Sequence, residues 1–359
     1  MSELKIRVLP LIRVLPRIRV LIVDDSAAMR AALRHILAGD PEIEVIGEAP
    51  EPLAARSMIK ELNPDVITLD IEMPGMDGLS FLEKIMRLRP MPVVMCSTLT
   101  ARGADQTIEA LRLGAIDCIQ KPSGNAAEML SNAALLCSVV KTAARSTVRR
   151  APEAAKQALA MPAGMQNRRL IGMGSSTGGV EALFRIIGAL PVNCPPVLVV
   201  QHMPAAFTGG FAARLDRECA VTVVEAKHDM PVAPGTVYIA PGGETHMELK
   251  GGVRGHIRLT SCDLVSGHRP SVDKLFHSLV GLGSSAVGVI LTGMGSDGAH
   301  GLLAMREAGA ATLGQNEASC VVYGMPRAAM ELGAVEREVS LIAMPAAIVA
   351  ACHSRNGKV

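Results

Sequence analysis

A glycine-rich segment in the middle of the chain has the residue types and spacing for nucleophilic chemistry. Gly174-Ser175-Ser176-Thr177-Gly178 fits the G-x-S-x-G pattern, in which small neighbours allow a tight turn from a strand into a helix. Such a turn exposes a serine hydroxyl and aims backbone N–H groups at a developing oxyanion, which would make Ser176 the nucleophile. An ordinary loop and a phosphate cradle have the same composition, so this segment alone leaves three interpretations open.

Two further polar residues follow apolar runs in the same part of the chain. His202 follows the run 196–200, and Asp297 follows the run 286–291. If these runs are parallel strands of one sheet, their carboxyl ends bring the three side chains together. Ser176 would then attack an acyl carbon, His202 would carry the proton, and Asp297 would fix the histidine tautomer. Taken singly, the histidine is also consistent with a capped core residue and the aspartate with a turn, but three strand ends together favour a triad.

Residues around this group are candidates for binding the oxyanion or the substrate. The N–H of Thr177 and the glycine-rich turn at Met294 are candidate oxyanion donors. His268 and Arg269 are candidates for substrate contact or, alternatively, a surface histidine beside a helix cap. Phosphate binding fits less well, because the lysine of a P-loop is missing and Thr177 occupies the third glycine position of a dinucleotide fingerprint. The order Ser, His, Asp also differs from that of α/β-hydrolases, so the serine turn does not predict that fold.

Five polar residues follow four apolar runs in the first third of the chain. Asp24 and Asp25 would repel each other at a strand end, which indicates a bound cation such as Mg²⁺. Asp70 is the candidate to attack a phosphoryl group, while Ser97 and Lys121 would bind the transferred phosphate oxygens. Because the runs should end at one edge of a parallel sheet, the sequence predicts a phosphorylation site there. The runs are 19–23, 65–69, 92–96 and 115–120.

Helical patterns alternate with these apolar runs. Alternation of this kind predicts a parallel sheet wound on both faces, and the apolar runs after residue 168 predict a second sheet. The predicted fold class is therefore α/β, with two doubly wound parallel-sheet domains. The helical patterns cover 27–37, 53–62, 79–88 and 103–113. The predicted divisions are an N-terminal extension at 1–17, a first domain at 18–135, a linker at 136–167, a second domain at 168–350 and a tail at 351–359.

Composition restricts the class of protein. With 359 residues, 49% of them hydrophobic and 2% aromatic, the chain is long enough for two cores built from aliphatic side chains and methionine. The net charge of +2 favours neither nucleic acid nor an acidic membrane surface. Eight cysteines stand singly, which is typical of buried thiols in a reducing compartment. The uncharged run 278–296 is broken by five glycines and four serines, so membrane insertion is not expected and the cytoplasm is the predicted location.

The segments outside the two domains carry no predicted chemistry. The linker has a helical pattern at 152–160 and is interpreted as a solvated basic connector. Nucleic-acid binding by its arginines is disfavoured, because no aromatic residues alternate with them and no helix-turn-helix follows. The extension contains three near copies of Ile6-Arg7-Val8-Leu9-Pro10. It is interpreted as an extra sheet edge, a flexible tail or the product of a translation start placed too early.

The first domain resembles the receiver domains of two-component systems. The resemblance rests on Val23-Asp24-Asp25-Ser26, on the segment from Leu69 to Gly78 and on Lys121-Pro122. It implies a flavodoxin-like (βα)5 fold, Asp70 as the phosphoacceptor, and Mg²⁺ ligation by Asp25, Asp70 and the Glu72 carbonyl, with Asp24 acting through water. Cys118 departs from the pattern, because receivers usually carry at this position an aromatic residue that moves inward on phosphorylation.

The second domain resembles the catalytic domain of the CheB family of chemotaxis protein-glutamate methylesterases. The resemblance implies a Rossmann-like α/β fold, the triad of Ser176, His202 and Asp297, and methylated glutamates of chemoreceptors as the substrate. It further implies methanol as the product, deamidation of receptor glutamines, phosphorylation of Asp70 by the chemotaxis histidine kinase, and ester hydrolysis without a cofactor. The motifs are Gly174-Ser175-Ser176-Thr177-Gly178-Gly179, Gln201-His202-Met203-Pro204, Tyr238-Ile239-Ala240-Pro241-Gly242, His268-Arg269-Pro270-Ser271-Val272-Asp273, the segment from Leu291 to Gly298, and Gln315-Asn316-Glu317-Ala318-Ser319-Cys320.

The two resemblances together predict an esterase gated by phosphorylation. Without phosphorylation, the receiver is expected to pack over the strand ends of the second domain and block Ser176; phosphorylation of Asp70 would shift the population toward an open arrangement. Two other classes stay open: the same chemistry serving a different signalling array, and a phosphorylation-controlled binding protein with little turnover. A transcription factor would need a helix-turn-helix segment, and the sequence shows none.

Overall fold

The computed structural model describes residues 16–73, 77–97, 101–121, 126–146 and 168–353. It contains one parallel sheet in each half of the chain, which confirms the predicted fold class. Several predicted features lie outside the described residues: positions 1–15 of the extension, positions 74–76 of the turn after Asp70, the helical pattern at 152–160 and positions 354–359 of the tail.

The first sheet has five parallel strands. Their spatial order is second, first, third, fourth, fifth, which is the flavodoxin-like order. The strands are β1 Ile18–Val23, β2 Ile43–Ala49, β3 Val66–Asp70, β4 Val93–Ser97 and β5 Asp117–Gln120, and the helices are α1 Ala27–Ala38, α2 Pro52–Leu62, α3 Gly78–Leu88, α4 Ala101–Arg112 and α5 Ala126–Ala144.

Both faces of this sheet are covered. Leu21 and Val23 of β1 belong to one hydrophobic cluster, while Val20 and Ile22 belong to another. Successive side chains of a strand point to opposite faces, so the two clusters are the two sides of the sheet. The near-continuous apolar sequence of β1 is therefore a consequence of burial on both sides.

The second domain has a sheet of seven parallel strands and a separate antiparallel hairpin. Its strands are β6 Leu170–Ser175, β7 Val197–Gln201, β8 Thr222–Glu225, β9 Thr236–Ile239, β10 His246–Lys250, β11 His256–Thr260, β12 Ala286–Ile290, β13 Ala311–Gln315 and β14 Arg337–Val339. Its α-helices are α6 Gly179–Gly188, α7 Ala205–Glu218, α8 Val272–Leu279, α9 Ala299–Glu307, α10 Met325–Glu331 and α11 Met344–His353. The sheet order is β14-β13-β12-β6-β7-β9-β8, and β10 pairs only with β11 among the described strands.

Two features of the first half differ from the sequence pattern. Strand β2 was not predicted, because Glu44, Gly47 and Glu48 interrupt its apolar residues and it lies at the edge of the sheet, where most of its side chains are half-buried. Helix α5 extends to Ala144, past residue 135 at which the first domain was predicted to end. Its last turns pack against the strands of the first sheet and place residues beyond 135 in that domain's core.

Candidate active site

Ser176 lies directly after β6, at the point where the chain direction across the sheet reverses. Strand β6 has β12 on one side and β7 on the other, an arrangement that opens a crevice at the carboxyl ends of the strands. The Gly179 N–H donates to the Ser176 carbonyl oxygen at 2.7 Å and closes the turn into α6. Gly178 has a φ of +77°, a conformation that strains other residues, which explains a glycine before the helix. The half-buried serine therefore faces the crevice from a built turn.

His202 follows β7 directly beside the serine. The register pairs Ser175 with Gln201, and the His202 N–H donates to the Ser175 carbonyl oxygen at 3.0 Å. Ring atom Nε2 of His202 lies 2.8 Å from Oδ2 of Asp297. The other ring nitrogen, Nδ1, is buried and has no hydrogen-bond partner among the described residues. With a proton on Nε2 held by the aspartate, Nδ1 is the nitrogen left to accept a proton from Ser176.

Asp297 is anchored at the N-terminus of α8. Its Oδ1 accepts hydrogen bonds from Ser271 Oγ at 2.7 Å and from the Asp273 N–H at 3.0 Å. Its Oδ2 accepts from the Val272 N–H at 2.7 Å in addition to His202. Burial opposes ionisation of this carboxyl, but the hydrogen bonds from His202, Asp273 and Ser271 outweigh it and hold the pKa of Asp297 below its usual value. Asp297 is therefore a fixed anion that sets the orientation of the histidine ring.

Two backbone amides near the serine are free to bind an oxyanion. Neither the Thr177 N–H nor the Met294 N–H donates a hydrogen bond to another described residue. A Cβ on Gly293 would lie 2.7 Å from the Ser176 Cβ, so this turn approaches the nucleophile as closely as a glycine permits. Thr292 Oγ1 donates to the Thr177 carbonyl oxygen at 3.0 Å and ties the two turns together. Free N–H groups fixed beside a nucleophile are what oxyanion stabilisation requires.

Gln201 supports the site, although sequence analysis assigned it no role. Its Nε2 donates to the carbonyl oxygens of Ser176 and His202, at 2.9 and 3.0 Å. Its Oε1 accepts a hydrogen bond from Ser175 Oγ at 2.6 Å. One buried amide thus joins the turn that carries Ser176 to the turn that carries His202. The sequence signal for Gln201 was its position, since it is a polar residue at the end of the otherwise apolar strand β7.

The two candidate substrate residues after the hairpin make other contacts. The His268 ring stacks on the His202 ring, with centroids 3.7 Å apart and planes 10° from parallel. The Arg269 guanidinium donates from Nε to the Gly243 carbonyl oxygen at 2.9 Å and from Nη1 to the Cys262 carbonyl oxygen at 2.8 Å. Arg269 therefore holds the loop, and His268 contacts the ring of His202 directly.

The predicted phosphorylation residues come together at the carboxyl edge of the first sheet. Carboxylate oxygens of Asp24, Asp25 and Asp70 all lie within 4.8 Å of one another. Lys121 Nζ lies 2.9 Å from Oδ2 of Asp24 and 2.7 Å from Oδ2 of Asp70. Ser97, at the end of β4, is buried, and its carbonyl oxygen accepts from the Lys121 N–H at 2.9 Å.

This carboxylate group fits a hard divalent cation. Oδ2 of Asp24 and Oδ2 of Asp70 are buried and accept no hydrogen bond beyond their ion pairs with Lys121 among the described residues. Burial raises the pKa of Asp70, and the nearby Lys121 ammonium offsets part of that effect. A cluster of three carboxylates with only one nearby ammonium group is an all-oxygen donor set of the kind that Mg²⁺ prefers. The Glu72 N–H donates to Oδ1 of Asp70 at 3.1 Å, which holds Glu72 beside the cluster.

Comparison with known proteins connects the two sites. Residues 171–348 match the family model of CheB methylesterase, and residues 20–133 match that of the response regulator receiver domain. A Caulobacter vibrioides protein named protein-glutamate methylesterase/protein-glutamine glutaminase 1 is 55% identical over 345 residues, covering 94% of this chain and 98% of that relative. The chain belongs to the CheB methylesterase family. The resemblance inferred from the sequence motifs is thereby confirmed.

Other CheB family members are similarly close. An Agrobacterium fabrum protein-glutamate methylesterase/protein-glutamine glutaminase is 53% identical over 329 residues, covering 90% of this chain and 93% of the relative. The crystal structure of the Thermotoga maritima CheB methylesterase catalytic domain is 37% identical, covers 51% of this chain and 97% of its own, and superposes with a TM-score of 0.49. This chain combines a receiver with a methylesterase domain. Among the described residues, no helix is long and apolar enough to span a membrane.

In this CheB family member the receiver packs over the candidate catalytic crevice. Helix α4 contacts α6 and α7 of the second domain. Arg112 and Glu109 of α4 form ion pairs with Glu218 and Arg214 of α7. Thr142 Oγ1 of α5 donates to the Met294 sulfur at 2.8 Å, so the receiver also covers the turn that offers an oxyanion donor.

Asp117 of β5 brings the receiver into contact with the turn that carries Ser176. Its Oδ2 accepts a hydrogen bond from Oγ1 of Thr177, the residue after the serine, at 2.7 Å. Burial raises the pKa of this carboxyl, and the hydrogen bond from Thr177 offsets part of the effect. Asp117, Cys118, Ser176 and His202 line one cavity of about 50 Å³ between the domains. A space of this size holds a few water molecules and not a receptor segment.

Cys118, at the position of the usual switch aromatic, also faces this interface. Its Sγ lies 3.7 Å from Oγ1 of Thr107 on α4, and both residues line the cavity beside Ser176. Burial raises the pKa of the Cys118 thiol to about 12, so the thiol stays protonated. The position is thus filled by a small, neutral side chain of β5 that contacts α4.

Proposed function

We propose that this chain is a phosphorylation-activated serine esterase that hydrolyses glutamate methyl esters on chemoreceptors to glutamate and methanol, and deamidates receptor glutamines. The observation that carries this proposal is the hydrogen bond between His202 and Asp297 beside the turn that presents Ser176. The names of the curated relatives support both activities. Ser176, His202 and Asp297 are the proposed catalytic residues.

The geometry supports a two-step acyl transfer. Ser176 Oγ attacks the ester carbonyl carbon while Nδ1 of His202 takes the hydroxyl proton, and the carbonyl oxygen becomes an oxyanion near the Thr177 and Met294 amides. Collapse of this intermediate breaks the bond to the methoxy oxygen, which receives the proton from His202 and leaves as methanol. Water then attacks the acyl-enzyme by the same proton route and releases the glutamate side chain. With glutamine as substrate, the leaving group is ammonia.

The direct test is release of methanol from membranes that carry methylated chemoreceptors. The wild-type chain should release methanol in proportion to the receptor methyl groups, and should release ammonia from receptors that carry glutamine at those positions. Membranes whose receptors carry glutamate at every methylation position provide the blank. No methanol above this blank, from a chain that is folded and phosphorylated, would remove the esterase proposal.

We infer that Asp70 accepts a phosphoryl group from the chemotaxis histidine kinase. Asp24, Asp25, Asp70 and the Glu72 carbonyl would hold Mg²⁺, which neutralises phosphate charge when it is bound. The Asp70 carboxylate attacks phosphorus, and Ser97 and Lys121 then bind the phosphoryl oxygens. Lys121 must leave its ion pairs with the two aspartates to do so.

Phosphoryl uptake should depend on both the carboxylate and the cation. With a small phosphodonor and Mg²⁺, the wild-type chain should incorporate about one phosphoryl group, and Asp70→Asn should incorporate none because an amide is not a nucleophile here. A chelator should abolish uptake by the wild type. The readout is intact-protein mass, with Asp65→Asn as a matched control in the same domain. Equal uptake by Asp70→Asn would contradict the assignment.

We propose that the packed arrangement of the receiver is the inactive state. Lys121, which contacts Asp70, directly follows β5, and Asp117 at the start of β5 contacts the residue next to Ser176. A change at Asp70 therefore has a short route to the site through β5. Phosphorylation would lower the population of the packed state and open the crevice to a receptor segment.

A side chain added between the domains should activate the unphosphorylated chain. A Cβ on Gly210 of α7 would lie 3.2 Å from Cδ1 of Ile108 on α4, so Gly210→Leu overpacks the interface from the catalytic side. We expect basal methanol release to rise about tenfold, since overpacking costs about 1 to 3 kcal/mol. Phosphodonor should then add little. Gly209→Ala, whose Cβ would face Glu225 of its own domain, is the control. Unchanged basal activity in Gly210→Leu would contradict the packed state as the inhibited one.

The remaining assignments follow from the same proposal. The partners are methyl-accepting chemoreceptors as substrate and the chemotaxis histidine kinase as phosphodonor, and the location is the cytoplasm. We propose that the receiver begins at residue 18 and that residues 168–350 form the esterase domain; because α5 runs to Ala144, the receiver ends there and not at the predicted residue 135, and the linker begins after it. Arg269 stays a candidate for substrate contact.

A further inference from the structure

His268 packs against the catalytic base. Its imidazole ring lies parallel to the His202 ring, with centroids 3.7 Å apart and planes 10° from parallel. The His202 side chain is only 8% exposed, and the stacked ring covers one of its faces. The contact is made by a residue outside the triad, on a different element from each of the triad members.

The loop that carries His268 is built to hold the ring in this place. Val265 and His268 pair as an antiparallel bridge, with reciprocal N–H to carbonyl hydrogen bonds of 3.1 and 2.9 Å. Between them, Ser266 and Gly267 both have positive φ, of 52° and 79°, which is the backbone of a tight hairpin turn. Arg269 then fixes the loop through its two carbonyl contacts. The stack is therefore a defined contact and not the chance position of a free side chain.

The proposed reaction requires the His202 ring to keep its orientation, and the contact with His268 can provide this. His202 is held by one hydrogen bond at Nε2, and a ring held at one atom can tilt about that bond. Its Nδ1 must stay aimed at the serine, and no described residue bonds to that nitrogen. A flat ring packed on one face prevents the tilt. During the reaction His202 becomes a cation, and an adjacent neutral aromatic face stabilises a cation and does not repel it.

The electrostatics at His268 agree with this role. Burial, followed by the neighbouring His202, lowers the pKa of His268 to about 4, and the Asp297 carboxylate only partly opposes the shift. His268 is therefore neutral while the enzyme works near neutral pH. Two stacked imidazoles do not become cations together.

We propose that His268 is a positioning residue, whose ring holds the His202 imidazole in line between Asp297 and Ser176. The inference rests on the proposed esterase function and adds a residue to its machinery. A positioning role differs from substrate contact. His268 would act through His202, so its loss should slow the reaction of Ser176 with any acyl or phosphonyl reagent and not only with the receptor. A positioning role also differs from proton transfer, because it requires the shape of the ring and neither of its nitrogens.

The test uses two substitutions and two readouts on the full phosphorylated chain. His268→Ala removes the ring, and His268→Phe keeps a flat ring without nitrogens. The readouts are kcat and KM for methanol release from methylated receptor membranes, and the rate at which a small fluorophosphonate labels Ser176. Labelling needs an activated serine but no receptor contact, so it separates positioning from substrate recognition. His256→Ala, at an exposed histidine on β11, is the matched control.

A positioning role predicts that His268→Ala lowers kcat and the labelling rate by the same factor, about 100-fold, with KM little changed. His268→Phe should restore both rates to within about threefold of wild type. Three results would each overturn the proposal: slower methanol release with unchanged labelling, His268→Phe as slow as His268→Ala, or His268→Ala as fast as wild type. Labelling of a Ser176→Ala chain at the wild-type rate would instead contradict the proposed nucleophile.

Discussion

Replacing Ser176 with alanine is expected to lower methanol release by about 10⁴-fold or more. The remaining rate would be that of uncatalysed hydrolysis, raised only by substrate binding and oxyanion stabilisation. Ser176 is the residue directly after β6, and the register of β6 with β7 places it beside the strand end that carries His202. The change removes one oxygen from a half-buried turn whose backbone hydrogen bonds stay intact, so the fold should be unaffected. The measurement is methanol release by the phosphorylated chain, with thermal unfolding as the check on folding.

Ser175 provides a matched control for that substitution. It is the adjacent serine, it is buried, and its Oγ donates to Gln201 at 2.6 Å. Ser175→Ala should keep activity within about tenfold, because it alters support for the turn and not the nucleophile. The reverse order of effects, with Ser175→Ala inactive and Ser176→Ala active, would show that the nucleophile has been misassigned by one residue.

Asp297→Asn is expected to lower kcat by about 10⁴-fold while the chain stays folded. The carboxylate accepts four hydrogen bonds, whereas an asparagine at this place offers only one acceptor oxygen. If that oxygen faces Ser271 and the Asp273 N–H, the NH₂ group faces the Val272 N–H and Nε2 of His202. The histidine then accepts at Nε2 and carries its proton on Nδ1, which leaves no base for the serine.

Asp273 is the matched control for this aspartate. It is a buried carboxylate on α8, the helix whose N-terminus anchors Asp297; it accepts from the Gly301 N–H at 2.7 Å, and burial raises its pKa. Asp273→Asn can keep that hydrogen bond through its amide oxygen, so stability should change more than kcat. An Asp297→Asn chain with near wild-type kcat would show that the tautomer of His202 is not set by this contact.

The sequence alone was enough to predict which side chains meet at the carboxyl edge of each sheet. These are polar residues that directly follow an apolar run. Asp70, Ser97 and Lys121 follow apolar runs in a parallel α/β pattern, and such runs end at one edge. The same reasoning brought Ser176 to His202, since β6 and β7 are neighbours. In each case the side-chain chemistry and the strand position were both local features of the sequence.

Contacts that depend on packing between distant segments were not predictable in this way. The stack of His268 on His202 joins a hairpin loop to a strand end, and no periodicity encodes it. Gln201 was visible in a motif, but its two carbonyl contacts require the register of β6 and β7. The contact of Asp117 with Thr177 depends on the relative placement of two domains, which neither domain's pattern contains.

The most direct test of a phosphorylation-gated esterase is one assay of methanol release from methylated chemoreceptor membranes. It compares the wild type with Asp70→Asn, each with and without a small phosphodonor and Mg²⁺. A gated esterase gives a higher rate with phosphodonor only when Asp70 is present, and the same low basal rate in the other three conditions. One equal rate in all four conditions would contradict the gate while leaving the esterase, and no methanol in any of them would contradict both.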